Sequence, residues 1–155
     1  MRPLDMDDVA DDLVELAEAH EEFRRKKTIM VVDDDRDFLM IMDYWMKKKY
    51  YVIGVNSGVE AVTYLQHHAS PDLILLDYQM PDLDGYDVMQ WLHGTPQTAD
   101  IPIIFLTGVN DRESVMRIVK HKPDGYLLKT SRKTELLDAL ERFFVMSIFN
   151  NYRML

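Results

Sequence analysis

From Thr28 onward the apolar positions fall into two alternating patterns. Short runs rich in β-branched residues lie at Thr28–Val32, Tyr51–Val55, Leu73–Leu76, Ile101–Leu106 and Gly125–Leu128, and each reads as a buried strand. Between and after them apolar residues recur at spacings of three and four, over residues 36–48, 58–68, 85–93, 111–121 and 132–148. That period predicts five amphipathic helices. Ser57 with Glu60 forms a capping box, Asn110 with Glu113 repeats the logic, and Asp84 can cap the third helix. Strands alternating with helices predict βαβ units, and so a doubly wound α/β domain whose five-stranded parallel sheet is covered on both faces.

The first 27 residues follow a different rule. They hold nine acids and five bases, four of the bases clustered at Arg24, Arg25, Lys26 and Lys27, which suits a helix macrodipole. Met6, Val9, Leu13, Leu16 and Phe23, with His20 in the remaining place, form a narrow seam of about two and a half heptads. The stretch therefore predicts an amphipathic helix appended to the domain. We divide the chain into this extension (1–27), the α/β domain (28–147) and a tail (148–155). Phe144, Ile148, Phe149, Tyr152 and Leu155 are more apolar than a solvated tail requires. The expectation is that the stripe of the first helix is covered by the last helix and tail, or by its copy in a homodimer; a frayed linker is the bland alternative.

Composition narrows the functions. At 155 residues and 47% hydrophobic, the chain is enough for one core. A net charge of −9 argues against direct binding to nucleic acid or to an anionic membrane. The absence of cysteine removes disulfides, thiolate catalysis and Cys-ligated metals. No apolar run approaches the ~20 residues of a membrane span, and the acidic N-terminus is no signal peptide, so the expected location is cytoplasmic. The histidines (20, 67, 68, 93, 121) show no metal-binding spacing, and there is no glycine-rich nucleotide loop. Met40, Met42 and Met46 read as packing, and Lys47, Lys48 and Lys49 as cations closing a helix C-terminus.

In open α/β sheets, sites form outside the carboxyl ends of the strands. Those ends carry Asp33, Asp34 and Asp35 after the first strand and Asp77 after the third, then Thr107 and Gly108 after the fourth and Lys129 after the fifth. Singly, each has an ordinary explanation: a helix cap, a packed threonine, a solvated lysine. Together they place several carboxylates where they repel one another unless a cation sits among them. All-oxygen ligation with open water positions suits Mg²⁺, which commonly coordinates phosphate. Thr107 and Lys129 could meet phosphoryl oxygens, and a carboxylate can itself be the nucleophile.

These segments resemble the response-regulator receiver domain of two-component signalling systems (CheY-like). The resemblance is carried by Ile29–Asp35, Pro71–Gly85, Ile101–Gly108 and Asp124–Lys129, in order and with the family's spacing, over about residues 27–147. It implies a flavodoxin-like sheet of order 2-1-3-4-5, and a switch that catalyses only its own phosphorylation and dephosphorylation. Asp77 would be the phosphoacceptor, Asp34 a direct Mg²⁺ ligand, Asp33 a ligand largely through water, and Gln79 a ligand through its backbone carbonyl. Thr107 and Lys129 would hold phosphoryl oxygens, Gly108 would keep the approach open, and Thr107 with Tyr126 would form the switch. The implied partners are a histidine kinase or histidine phosphotransfer protein and a downstream protein.

Two positions depart from the family. Thr130 stands where a cis proline usually follows the lysine, and Lys122 with Pro123 replaces a small pair. A cis non-proline bond costs about 3–4 kcal/mol, so the Lys129–Thr130 bond is expected to be trans. Two other functions compete. One is a receiver-like binding module that is never phosphorylated, against which all five site residues count. The other is an aspartate-nucleophile phosphatase of the haloacid-dehalogenase type using Asp33 and Asp35, against which Asp37 stands where Thr or Val is expected. Eight residues after 147 cannot form an output domain, so the chain reads as a stand-alone receiver or as part of a longer protein.

Overall fold

The structure, a computed structural model, describes residues 5–108 and 112–153; side chains at 6, 17–20, 22–24, 112, 114 and 149–153 lie outside that description. The expected cap at Asn110, and the side chains of Met6, His20, Phe23, Phe149, Tyr152 and Leu155, therefore fall outside the described residues. In chain order the elements are α1 (Met6–Arg24), β1 (Thr28–Val32), α2 (Arg36–Met46), β2 (Tyr51–Val55), α3 (Gly58–His67) and β3 (Leu73–Asp77). Then follow α4 (Gly85–Gly94), β4 (Ile103–Thr107), α5 (Arg112–Lys120), β5 (Gly125–Leu128) and α6 (Lys133–Arg153).

The strands form one parallel sheet of order β2-β1-β3-β4-β5. Burial explains the order. β3 and β4 are buried at every position and β1 at all but its first, which is what near-continuous apolar runs covered on both faces require. β2 and β5 hold the edges and stay partly exposed. Helices complete the core with one stripe each: Met42 and Met46 from α2, Ala61 and Leu65 from α3, Val88, Met89 and Leu92 from α4. Met40 is a correction: at 70% exposed it is no packing residue, because it lies off the stripe that Met42 and Met46 share.

Two strands differ from their expected bounds. β4 begins at Ile103 rather than Ile101, Pro102 contributing only its carbonyl, which accepts from Ile74 N. β3 extends to Asp77 and β4 to Thr107, so these two site residues end their strands rather than follow them. Starts are fixed by two aspartates whose role sequence alone did not show. Asp72 accepts from Thr28 N at 2.8 Å, and Asp124 from Ile103 N at 2.8 Å. α6 also runs on to Arg153, past the expected end at 148.

Two compact units are distinguished: residues 27–136, which hold the sheet, and α1 together with α6 from Leu137 on. In the second unit Leu140 and Phe144 are buried, whereas Leu13 and Leu16 are 62% and 63% exposed. At these two residues the expected cover of the stripe by the last helix and tail is not seen. Among the described residues no helix is long and apolar enough to cross a membrane.

Gly85 opens α4 directly beneath the end of β3. A Cβ there would collide with the Asp77 carbonyl oxygen and stand 2.9 Å from Tyr78 Cα. Neither backbone neighbour can move without shifting Asp77. Gly94, the last residue of the same helix, has nothing within 4 Å of such a Cβ. Gly85→Ala is therefore expected to cost about 1–3 kcal/mol of stability, and Gly94→Ala to stay within about 0.5 kcal/mol, as read from denaturant midpoints.

Candidate functional site

The strand order reverses between β1 and β3, so the chain leaves their carboxyl ends in opposite directions and opens a crevice there. Asp33, the first residue past β1, keeps its backbone in the sheet by donating to the Val55 carbonyl at 3.1 Å. Its Oδ1 accepts from Asp35 N at 2.9 Å, tightening the turn into α2. Asp35 caps α2, accepting from Asp37 N and Phe38 N at 3.0 and 3.3 Å. The third acid of the run is thus committed to the helix, which removes the second catalytic acid from the phosphatase reading.

Asp33, Asp34 and Asp77 each bring a carboxylate oxygen within 4.8 Å of the others. Asp33 and Asp77 are buried, 0% and 3% exposed, while Asp34 faces solvent. Lys129 reaches in from the end of β5, its Nζ 2.6 Å from Asp33 Oδ2 and 3.2 Å from Asp77 Oδ2. The first contact, to fully buried Asp33 Oδ2, is the closer of the two ion pairs. Among the described residues, one ammonium against three carboxylates leaves the cluster short of positive charge, and the donor set, all oxygen with one open acid, fits a hard divalent cation.

The electrostatics show the same shortage. Burial, reinforced by the Asp33 charge, pushes the Asp77 carboxyl up to about 7. Lys129 and the Gln79 N–H, which donates to Asp77 Oδ1 at 3.1 Å, pull the other way but do not prevail. For Lys129, burial acts to lower the pKa, but its contacts with Asp33 and Asp77 outweigh that and hold the ammonium above its ordinary value.

The remaining expected site residues are placed as follows. Thr107 is buried at the end of β4, and its carbonyl accepts from Lys129 N at 2.8 Å. Gln79 follows the strand end in the loop 78–84, exposed, with its N–H turned to Asp77. A Cβ at Gly108 would meet only Lys129 Cδ at 3.8 Å, an ordinary contact, so the glycine is not sterically demanded. Tyr126 lies on edge strand β5 with its ring half outside, 45% exposed. No described peptide bond is cis, so the bond to Thr130 is trans as expected. Lys122, at a departure from the family, takes φ 52°, an uncommon conformation for a lysine.

Two neighbours of the site were not foreseen. Tyr78, next to Asp77, packs edge-on against Phe105 with centroids 5.3 Å apart and lies near His121, which is itself 4.1 Å from the Tyr86 ring. His121 is part of an aromatic group rather than a solvated histidine. Phe38, on the first turn of α2, sits with its ring centroid 5.0 Å from Lys129 Nζ. Sequence spacing carries no signal for either contact.

The chain belongs to the response regulator receiver domain family, whose model matches residues 29–141. It is 34% identical to the two-component response regulator ARR10 of Arabidopsis thaliana, over 70% of this chain and 19% of that one. The signal receiver domain of a signal transduction histidine kinase from Syntrophus aciditrophicus superposes with a TM-score of 0.69 at 30% identity, covering 76% of this chain and 89% of that one. The receiver domain of a sensor histidine kinase from Pseudomonas aeruginosa PAO1, with a magnesium ion coordinated in its active-site cleft, superposes with a TM-score of 0.69 at 25% identity, over 77% and 98% of the two chains. The protein is thus a receiver domain homologous to those of two-component response regulators. It spans 19% and 42% of the length of two further curated relatives.

The raised Asp77 carboxyl fixes a sign. Between about pH 4 and 7 the folded state keeps a proton that the unfolded state has lost, so stability from this group falls as pH rises through that window. In metal-free buffer Asp77→Asn should flatten the decline and stabilise the protein by about 1–3 kcal/mol at pH 8. Denaturant midpoints at pH 5 and pH 8 with chelator present check it; equal slopes in both proteins would contradict the assignment.

Proposed function

We propose that Asp77 accepts a phosphoryl group from a phosphohistidine on a histidine kinase or histidine phosphotransfer protein, with Mg²⁺ held by Asp33, Asp34, Asp77 and the Gln79 carbonyl. The observation that carries the reading is the burial of Asp77 at the meeting point of two further acids and one lysine. Mg²⁺ would supply the missing positive charge and bind phosphoryl oxygens. Asp77 presents an oxygen to phosphorus; the new O–P bond forms as the P–N bond to the donor imidazole breaks, and the imidazole takes up a proton. Lys129 moves its charge from Asp77 to a phosphoryl oxygen, and Thr107 donates to another. By resemblance to the family, Asp33, whose oxygens engage Asp35 N and Lys129, would act on the metal largely through water, and exposed Asp34 would be a direct ligand.

The chain acts as a switch rather than a turnover enzyme. Added charge at Asp77 draws Thr107 toward it, and the half-exposed Tyr126 ring turns into the space released, altering a surface read by a downstream protein. The homodimer reading rests on Leu13 and Leu16, exposed on α1, as the residues a second copy would cover.

Acetyl phosphate with Mg²⁺ should label the protein, and Asp77→Asn should abolish the label, as followed by borohydride trapping and mass spectrometry. Undiminished labelling of that variant would sink the assignment. In metal titrations Asp34→Ala should weaken Mg²⁺ binding more than Asp33→Ala does; equal affinities would contradict the division between direct and water-mediated ligands.

A further inference from the structure

The ammonium of Lys129 is engaged by two carboxylates, those of Asp33 and Asp77. Its four-carbon stem is flexible, and the Lys129 side chain keeps 21% of its surface exposed. The Phe38 ring stands beside that ammonium, its centroid 5.0 Å from Nζ. Phe38 is partly buried and lies four residues before Met42 on the stripe that α2 turns inward, so its ring can combine packing with the contact to Lys129. Its backbone is fixed by the same device that commits Asp35, since Phe38 N donates to the Asp35 carboxylate at the start of α2. The α2 N-terminus thus delivers one aromatic face to the ammonium that Asp33 and Asp77 share.

We propose that Phe38 is a positioning residue for Lys129, its ring confining the ammonium to the conformation that reaches Asp33 and Asp77. The inference rests on the reading of Asp77 as phosphoacceptor insofar as it concerns rate, but the contact itself can be tested without phosphorylation. Attraction between a partly desolvated ammonium and a phenyl face corresponds to about a 2–5-fold effect on any step that needs Lys129 in place.

Phe38→Leu keeps apolar bulk and removes the π face; Phe38→Tyr keeps the face. The ε-methylene protons of Lys129 should show an upfield ring-current shift in the whole chain and in Phe38→Tyr, and lose it in Phe38→Leu. Labelling by acetyl phosphate with Mg²⁺ should slow about 2–5-fold in Phe38→Leu and recover in Phe38→Tyr. In a Lys129→Met background Phe38→Leu should slow nothing further, a dependence that simple loss of packing would not show. An unshifted lysine in the parent chain, or a Phe38→Leu penalty of equal size with and without Lys129, overturns the proposal. Failure of every protein to label would count against the phosphoacceptor reading alone, the ring-current comparison still deciding the role of Phe38.

Discussion

Everything at the crevice depends on one electrostatic imbalance: among the described residues, three carboxylates converge there with a single ammonium. Asp33 and Asp77 cannot relieve it by turning to water, because both are buried at the ends of central strands. The carboxyl of Asp77 is accordingly pushed up to about 7, first by burial and then by Asp33. A fold selected for stability alone would have no use for this arrangement, since unpaired buried charge costs several kcal/mol. The cost is tolerated because apolar packing of β1, β3 and β4, on both faces of the sheet, holds the acids where they are. A cation or phosphoryl group bound there, as proposed, would meet groups whose positions are already fixed.

That fixation is largely backbone work. Asp33 N is tied to β2, Lys129 N to β4, and the β3 end is pressed against α4 at Gly85, where no side chain fits. Asp35 supplies its carboxylate to the α2 N-terminus, and Asp84 with Asp87 closes α4 by a reciprocal capping box. Acids therefore have two distinct uses around one crevice. Some satisfy orphan amides of helices, and the rest are left facing one another.

That division marks what sequence could tell. The central strands were legible because residues buried on both faces must be apolar almost without interruption, as in Ile29–Val32 and Leu73–Leu76. Asp77, Thr107 and Lys129 were legible as a set because parallel topology forces successive strand ends to one edge. The reciprocal partner of the Ser57 cap was less so: Glu60 accepts from Asn56 N, one residue earlier than the capping box has it. Strand-start roles of Asp72 and Asp124 were hidden, since each pairs with an amide far along the chain. Met40 misled because a run of methionines every few residues does not say which of them share the buried stripe. Contacts such as Phe38 with Lys129 depend on two elements meeting in space, which no spacing within one helix encodes.

Thr130 shows how a departure from the family can be absorbed. A cis proline after the lysine would define the loop through its peptide geometry, but here every described bond is trans. The position of Lys129 is instead defined by hydrogen bonds on either side of it. Its own N–H extends the β4–β5 ladder to the Thr107 carbonyl, and Ser131 N closes a turn back to Leu128 at 3.0 Å. With the lysine backbone pinned between these two bonds, the stem needs only to span the distance from β5 to the acids. The side chain's direction is then set by what attracts its ammonium, namely Asp33 and Asp77. Loss of a rigid loop residue is thus compatible with an ordered lysine, because the constraint has passed from the peptide bond to the sheet edge and to the charges it carries.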